Sequence, residues 1–361
     1  MKYRINPEQH PVYLQIYKLI RDDIIAGVYP LASKLPSKRL LCEELGVSTV
    51  TVEHAYELLC EEGYAKSRER SGFFVIFNKS DGFAATVEQQ HTSHTFRTSD
   101  KRDYPDFPYS VLRKTMRMVL TEYADVLLEK SQNSGCTELR EAIKRYLIRN
   151  RGMNVESEQI IIGSGSEYLY GLIIELLGRG RIYGIESPSY KKIEQVYAAA
   201  EVSYDSLPLS HDGIDSEALN RSGATVLHTT PYRSFPTGIT ASANKRHEYI
   251  RWASRGERII IEDDFESEFS VSSKPEDTLF ALSVNENVIY MNTFSKTISP
   301  ALRVGYMVLP KPLVKEFNEK LGFYSCTVPT FEQYVIAELI NSGNFERHIN
   351  RVRRKLRRNG P

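Results

Sequence analysis

The 361-residue chain is poor in cysteine, with four, and has a single tryptophan. Cys42, Cys60, Cys136 and Cys326 lie far apart and form no CxxC pair. That spacing excludes a disulfide framework and a zinc site, and it suits a reducing cytosol, so a cytoplasmic protein without a metal is expected. No run of 18 apolar residues occurs, so neither a transmembrane helix nor a membrane partner is expected. Residues 1–7 lack the apolar stretch of a secretory signal. Neither sign of charge dominates: 47 Lys/Arg face 46 Asp/Glu, a net charge of +1. A strongly basic nucleic-acid binder is thereby excluded for the chain as a whole, although a local basic patch is not. What is present, 41% hydrophobic and 26% charged residues, is ordinary for a globular protein, and the length predicts two or three domains.

Residues 1–77 read as one small unit. Val12, Ile16, Leu19, Ile20 and Ile24 recur at helical spacing up to Gly27. A second short helix is expected behind Ser37, carrying Leu40, Leu41 and Leu45 inward and stopping at Gly46. A third runs from Ser48 or Thr49 with Val52, Ala55, Tyr56 and Leu59 on one face, ending at Gly63. Residues 64–75 then alternate around a polar, Gly-containing turn, the pattern of a hairpin. Three helices and a hairpin form the plan of a winged helix-turn-helix. Helix three would enter the major groove of double-stranded DNA, led by Ser48, Thr49 and Thr51 with His54 a turn further on. Lys38 and Arg39 are placed for phosphate or base-edge contact, and Lys66, Arg68 and Arg70 for the backbone. The unit is neutral, ten Lys/Arg against ten Asp/Glu, but its bases cluster at 34–39 and 66–70. Pattern alone gives similar weight to a small helical interaction domain with a solvated hairpin.

Residues 78–104 are polar and aperiodic and read as a linker, leaving 105–361 as a second domain. From about 106 on, helical stretches (110–122, 137–150, 166–178, 189–200, 245–254) alternate with apolar runs (159–162, 181–185, 225–228, 258–261, 287–291). This predicts an α/β fold with a mainly parallel sheet.

Five words in this second part carry chemistry. Lys296 stands among hydroxyls in Asn292-Thr293-Phe294-Ser295-Lys296, with Arg303 seven residues on. A buried lysine can form a Schiff base, and an arginine fork with hydroxyls suits a phosphate dianion. The run Ile259-Ile260-Ile261-Glu262-Asp263-Asp264 puts carboxylates at the end of an apolar strand, where α/β proteins place ligands. Lysine, phosphate donors and an acid together match the needs of pyridoxal 5'-phosphate. Gly163-Ser164-Gly165-Ser166-Glu167 opens a helix whose first N–H groups can take an anion. Glu186-Ser187-Pro188-Ser189-Tyr190 offers a ring for stacking, and residues 231–238 complete the set. Each word taken singly also fits a surface lysine, a solvated acidic loop, a helix cap or a proline turn.

Residues 12–75 resemble the GntR family of bacterial regulators. The matching words are Gly27-Val28-Tyr29-Pro30, Lys34-Leu35-Pro36-Ser37-Lys38-Arg39, Leu45-Gly46-Val47-Ser48, Glu62-Gly63-Tyr64 and Ser71-Gly72-Phe73-Phe74-Val75. The five words from Gly163 to Tyr306 resemble fold-type I aminotransferases in order and spacing. A chain with both parts resembles the MocR subfamily of GntR regulators. The resemblance implies a winged helix-turn-helix joined to a PLP-dependent transferase-like domain. It implies Lys296 as the Schiff-base lysine, Asp263 on the pyridine nitrogen and Tyr190 as the stacking ring. It also implies Ser166, Glu167 (by its backbone N–H), Thr293, Ser295 and Arg303 around the phosphate.

Four departures stand out. The family usually has Arg after the Ser that opens helix three, where this chain has Thr49, so a bidentate guanine contact is lost. It usually has Tyr two residues after the aspartate, where Phe265 stands here, and the aminotransferase Asn of the Asn-Pro-Thr-Gly word is Phe235. Both changes remove polar tuning and count against efficient transamination. The resemblance further implies a small C-terminal domain, whereas the chain stops at Pro361 in a basic helix, with seven Lys/Arg and no acid over 347–361. The expectation is an interdomain helix cut short, in a body lacking most of that domain and its carboxylate-gripping arginine. The resulting expectation is a homodimeric regulator that binds operator DNA and senses PLP or a small amino compound. The alternatives are an aminotransferase with a DNA-binding head, and a DNA-binding protein whose body no longer holds cofactor.

Overall fold

The computed structural model describes residues 3, 5, 11–68, 71–78, 107–264, 266–270 and 276–359. The expected linker, apart from residue 78, lies outside the described residues, as do Arg70 and Phe265. The chain divides into two compact units, 1–98 and 99–361.

The first unit holds helices α1 (Val12–Ala26), α2 (Lys38–Leu45) and α3 (Thr49–Glu61), then the antiparallel strands β1 (Ala65–Arg68) and β2 (Gly72–Val75). Gly27 and Gly46 end α1 and α2 in the left-handed conformation, and Ser37 and Ser48 cap α2 and α3 by accepting from Leu40 N and Thr51 N. Ile16, Ile20, Ile24, Leu41, Val52, Ala55, Tyr56 and Leu59 form the core. One expected inward residue turns out: Leu41 is buried and Leu45 half-buried, but Leu40 is 48% exposed. An eight-residue helix buries one stripe, and Leu41 and Leu45, four residues apart, share it, while Leu40 lies about 100° round the axis.

In the second unit an eight-stranded sheet has the order β3-β10-β9-β8-β7-β4-β5-β6. Its strands are β3 (Ile160–Gly163), β4 (Tyr183–Ser187), β5 (Tyr204–Ser210), β6 (Gly213–Ile214), β7 (Val226–Thr229), β8 (Ile259–Asp263), β9 (Val288–Thr293) and β10 (Gly305–Val308). The pairings from β9 through β8, β7 and β4 to β5 are parallel, and those of β10 and β6 antiparallel. Helices α4 (Tyr109–Glu122), α5 (Thr137–Arg151), α6 (Ser166–Leu177), α7 (Lys191–Ala199), α8 (Ser216–Arg221), α9 (Ala243–Ala253), α10 (Leu279–Leu282), α11 (Lys311–Leu321), α12 (Thr330–Asn341) and α13 (Asn344–Asn359) complete the unit. β3, β7, β8 and β9 are buried nearly throughout, which is why each reads as a continuous apolar run. β10 was not signalled, because Gly305-Tyr306 reads as the tail of the lysine word. β10 runs back between β3 and β9, so Gly163, Thr293 and Gly305 meet at one edge of the sheet.

Candidate functional site

On the head, Ser48 and Thr49 are exposed at the start of α3, Thr51 is half-buried and His54 exposed. Ser48 and Thr51 turn to each other, with their hydroxyls 2.7 Å apart. His54 lies flat on Tyr13, ring centroids 4.0 Å apart. Lys38 Nζ donates to Glu53 Oε1 at 2.5 Å, and Arg39 Nε to Glu43 Oε1 at 3.1 Å. Lys66 is exposed on β1, and Arg68 places its guanidinium 4.5 Å from the Phe74 ring centroid. Lys38 and Arg39 thus already carry acidic partners.

In the second unit the C-terminal edges of the strands converge. Ser166, Glu167, Tyr190, Asp263, Thr293, Ser295, Lys296 and Arg303 all line one cleft of about 260 Å³, with Tyr170 and Phe235. Asp263 ends β8 and is buried. Its Oδ2 accepts from the Tyr170 hydroxyl and lies 3.6 Å from His228 Nε2. His228 Nδ1 is in turn 2.7 Å from the Tyr197 hydroxyl. Asp263 Oδ1 is buried with no hydrogen-bond partner among the described residues. Such an atom costs free energy unless something else meets it.

Lys296 follows β9 and pairs with Glu266, which is buried and also lies 3.8 Å from Arg233 Nε. Arg303, at φ 50°, donates from Nη2 to Glu167 Oε2 at 2.7 Å. Glu167 also meets Lys192, whose hydrogen bond holds the Glu167 carboxyl below its ordinary range. Ser166 opens α6 directly after Gly165. Phe235 stands edge-on to Tyr190 with ring centroids 6.2 Å apart. Its loop is fixed by Glu186, which accepts from Thr229 Oγ1 at 2.6 Å, Thr230 N at 2.9 Å and Ser234 Oγ at 2.5 Å.

Sequence reasoning missed Tyr170, His228 and Glu266. Tyr170 sits four residues after Ser166, one helical turn on, and His228 is the next-to-last residue of β7, so both had a positional signal. Glu266 had none, since its contact with Lys296 spans 30 residues.

Two further carboxylates, of Glu262 and Glu268, are buried. Glu262 accepts from Tyr232 Oη at 2.9 Å and from the N–H groups of Leu279 and Phe280, both at 2.8 Å. Glu268 accepts from Asn292 Nδ2 at 2.7 Å. Burial first, and repulsion from Asp264 second, push both acids up to about 7. Between about pH 4.5 and 7 the unfolded chain releases these protons while the folded one keeps them, so their contribution makes stability fall as pH rises through that window. His348, pushed down to about 4 by burial, acts with the opposite sign between about pH 4 and 6.5. Glu262→Gln is therefore expected to flatten the fall. Thermal unfolding at pH 5 and pH 7 measures this, and a slope equal to the parent's contradicts it.

The description "Bacterial regulatory proteins, gntR family" matches residues 12–75, and "Aminotransferase class I and II" matches residues 104–359. Over 358 residues the chain is 34% identical to the uncharacterized HTH-type transcriptional regulator YdeL of Bacillus subtilis (strain 168), covering 96% of this chain and 77% of the relative. It is 27% identical to the probable rhizopine catabolism regulatory protein MocR of Rhizobium meliloti, covering 95% and 74%. Among solved structures, Pyrococcus horikoshii kynurenine aminotransferase, in complex with PMP, superposes with a TM-score of 0.63 at 30% identity. That match covers 70% of this chain and 65% of the aminotransferase.

Proposed function

The chain belongs to the GntR-type regulators with an aminotransferase class I and II body, the MocR subfamily, and from that premise we propose that its body binds pyridoxal 5'-phosphate as the sensed ligand. It is a DNA-binding transcription regulator. The observation that carries the cofactor reading is Asp263 Oδ1, buried and without a hydrogen-bond partner among the described residues, in a cleft that gathers all eight expected residues. The residues present fit the group.

Bound there, pyridoxal phosphate supplies an aldehyde for a primary amine and a ring that draws electrons once its nitrogen is protonated. Asp263, held by Tyr170 and flanked by His228, would pair with the protonated ring nitrogen. Tyr190 would stack on the ring, and Ser166, the first N–H groups of α6, Thr293, Ser295 and Arg303 would hold the phosphate. Lys296 is the amine, and Glu266 is the group placed to accept the proton that the amine loses before it reacts. Tyr190 and Phe235 place apolar rings at this end of the cleft.

The body pairs with a second copy in the cytoplasm, so that two heads meet a two-half-site operator, and ligand favours one arrangement of the pair. Turnover of an amino acid with a keto acid by the purified chain would instead mark it as an aminotransferase with a DNA-binding head.

Gly165 tests the phosphate cradle. Its φ of +94° suits glycine alone, and a Cβ there would stand 2.8 Å from Arg303 Nη2. Gly165→Ala is expected to displace that guanidinium, cost about 1–3 kcal/mol in backbone strain and weaken cofactor binding on the order of tenfold. An absorbance titration with pyridoxal phosphate reads it, and affinity equal to the parent's counts against the cradle.

A further inference from the structure

The first turn of α3 has few groups left to read a base. Ser48 and Thr51 share a hydroxyl hydrogen bond at 2.7 Å, and Ser48 Oγ also accepts from Thr51 N at 3.2 Å. Glu53, one turn on, is paired with Lys38. His54 is stacked on Tyr13. Thr49 stands where the resembling family carries arginine, so the bidentate donor for guanine is absent. What this turn presents is Thr49 and, beside it, Val50, which is 74% exposed.

A single exposed valine on a protein surface is ordinary. At this place it is not neutral: β-branched valine is a weak helix former, and this one leaves most of its side chain in solvent. In the major groove the one apolar feature is the 5-methyl group of thymine. Resting on the DNA-binding reading of the head, we infer that Val50 is a specificity-determining residue that packs on a thymine methyl, so that the half-site carries a thymine opposite α3. Thr49, with its own methyl and no fork of N–H donors, favours the same A·T step over a guanine.

The test uses the full chain. Duplexes are selected from a random pool, and the recovered site is remade with deoxyuridine replacing thymidine one position at a time, which removes only the methyl. At one position the parent is expected to bind about fourfold more weakly, the worth of one buried methyl-sized group. Val50→Ala is expected to show no difference between thymidine and deoxyuridine there. Alanine is the stronger helix former, so the variant keeps its helix, which circular dichroism verifies. A flat scan for the parent, or the same fourfold loss in Val50→Ala, overturns the inference and leaves DNA binding standing. No enrichment of any duplex overturns the inference together with the DNA-binding reading.

Discussion

Pyridoxal 5'-phosphate added to the full chain is expected to raise a visible absorption band, and Lys296→Ala to lose that band completely. Among the described residues that line the cleft, Lys296 is the one primary amine. It follows β9 closely, near Thr293 and Ser295, the proposed phosphate donors, and Asp263 ends the neighbouring strand β8. Alanine removes the nucleophile and leaves the cradle, so the cofactor still binds through its phosphate but without the covalent tie. The same pair of proteins tests sensing. A duplex recovered by selection is titrated with and without pyridoxal phosphate, and the parent's affinity is expected to change while that of Lys296→Ala is not. An identical response in both sinks the sensor reading. A band that survives in Lys296→Ala transfers the role to another amine, and Lys192, paired with Glu167 beside the cleft, is the one to examine.

That so much of the cleft was legible follows from how such sheets are built. β3, β4, β7, β8 and β9 signalled themselves as apolar runs because they are covered on both faces. The residues just past such runs, Asp263 after Ile261 and Thr293 after Met291, had to emerge at the same edge as their parallel neighbours. The chemistry therefore sat where the periodicity broke. Contacts that close across the sheet were not legible. The pair of Glu266 with Lys296 depends on how the segment after β8 folds back, and no local spacing encodes that. The head shows the reverse failure. Its helices, caps and hairpin were plain from Ser37, Gly46, Ser48 and the 64–75 pattern, but the outward Leu40 and Val50 were not. Apolarity alone carries no sign of direction on a helix that buries only one stripe.

The second large effect concerns what holds that sheet edge. Arg151, the last residue of α5, forms a fully buried ion pair with Asp264, side chains 5% and 0% exposed. Tyr290 Oη donates to the same Asp264 oxygen at 2.8 Å, and the Arg151 guanidinium lies 5.1 Å from the Tyr232 ring centroid. Arg151→Ala leaves the Asp264 carboxyl without its counter-ion beside Glu262 and Glu268, whose carboxyls it already pushes up. Breaking one partner of a buried pair costs about 3–5 kcal/mol. For a unit of this size that lowers the melting temperature on the order of 10 °C. The double variant Arg151→Met with Asp264→Leu separates charge from packing. If the single loss is mainly an uncompensated carboxylate, removing both charges restores most of the stability, because attraction within a buried pair is largely offset by the desolvation of its ions. The double variant melting as low as Arg151→Ala would show instead that the guanidinium acts by filling space between α5 and the sheet. Asp264 directly follows Asp263, so the expected outcome reaches the cleft as well. Arg151→Ala loosens the end of β8 and weakens the lysine-dependent band, and the double variant recovers it.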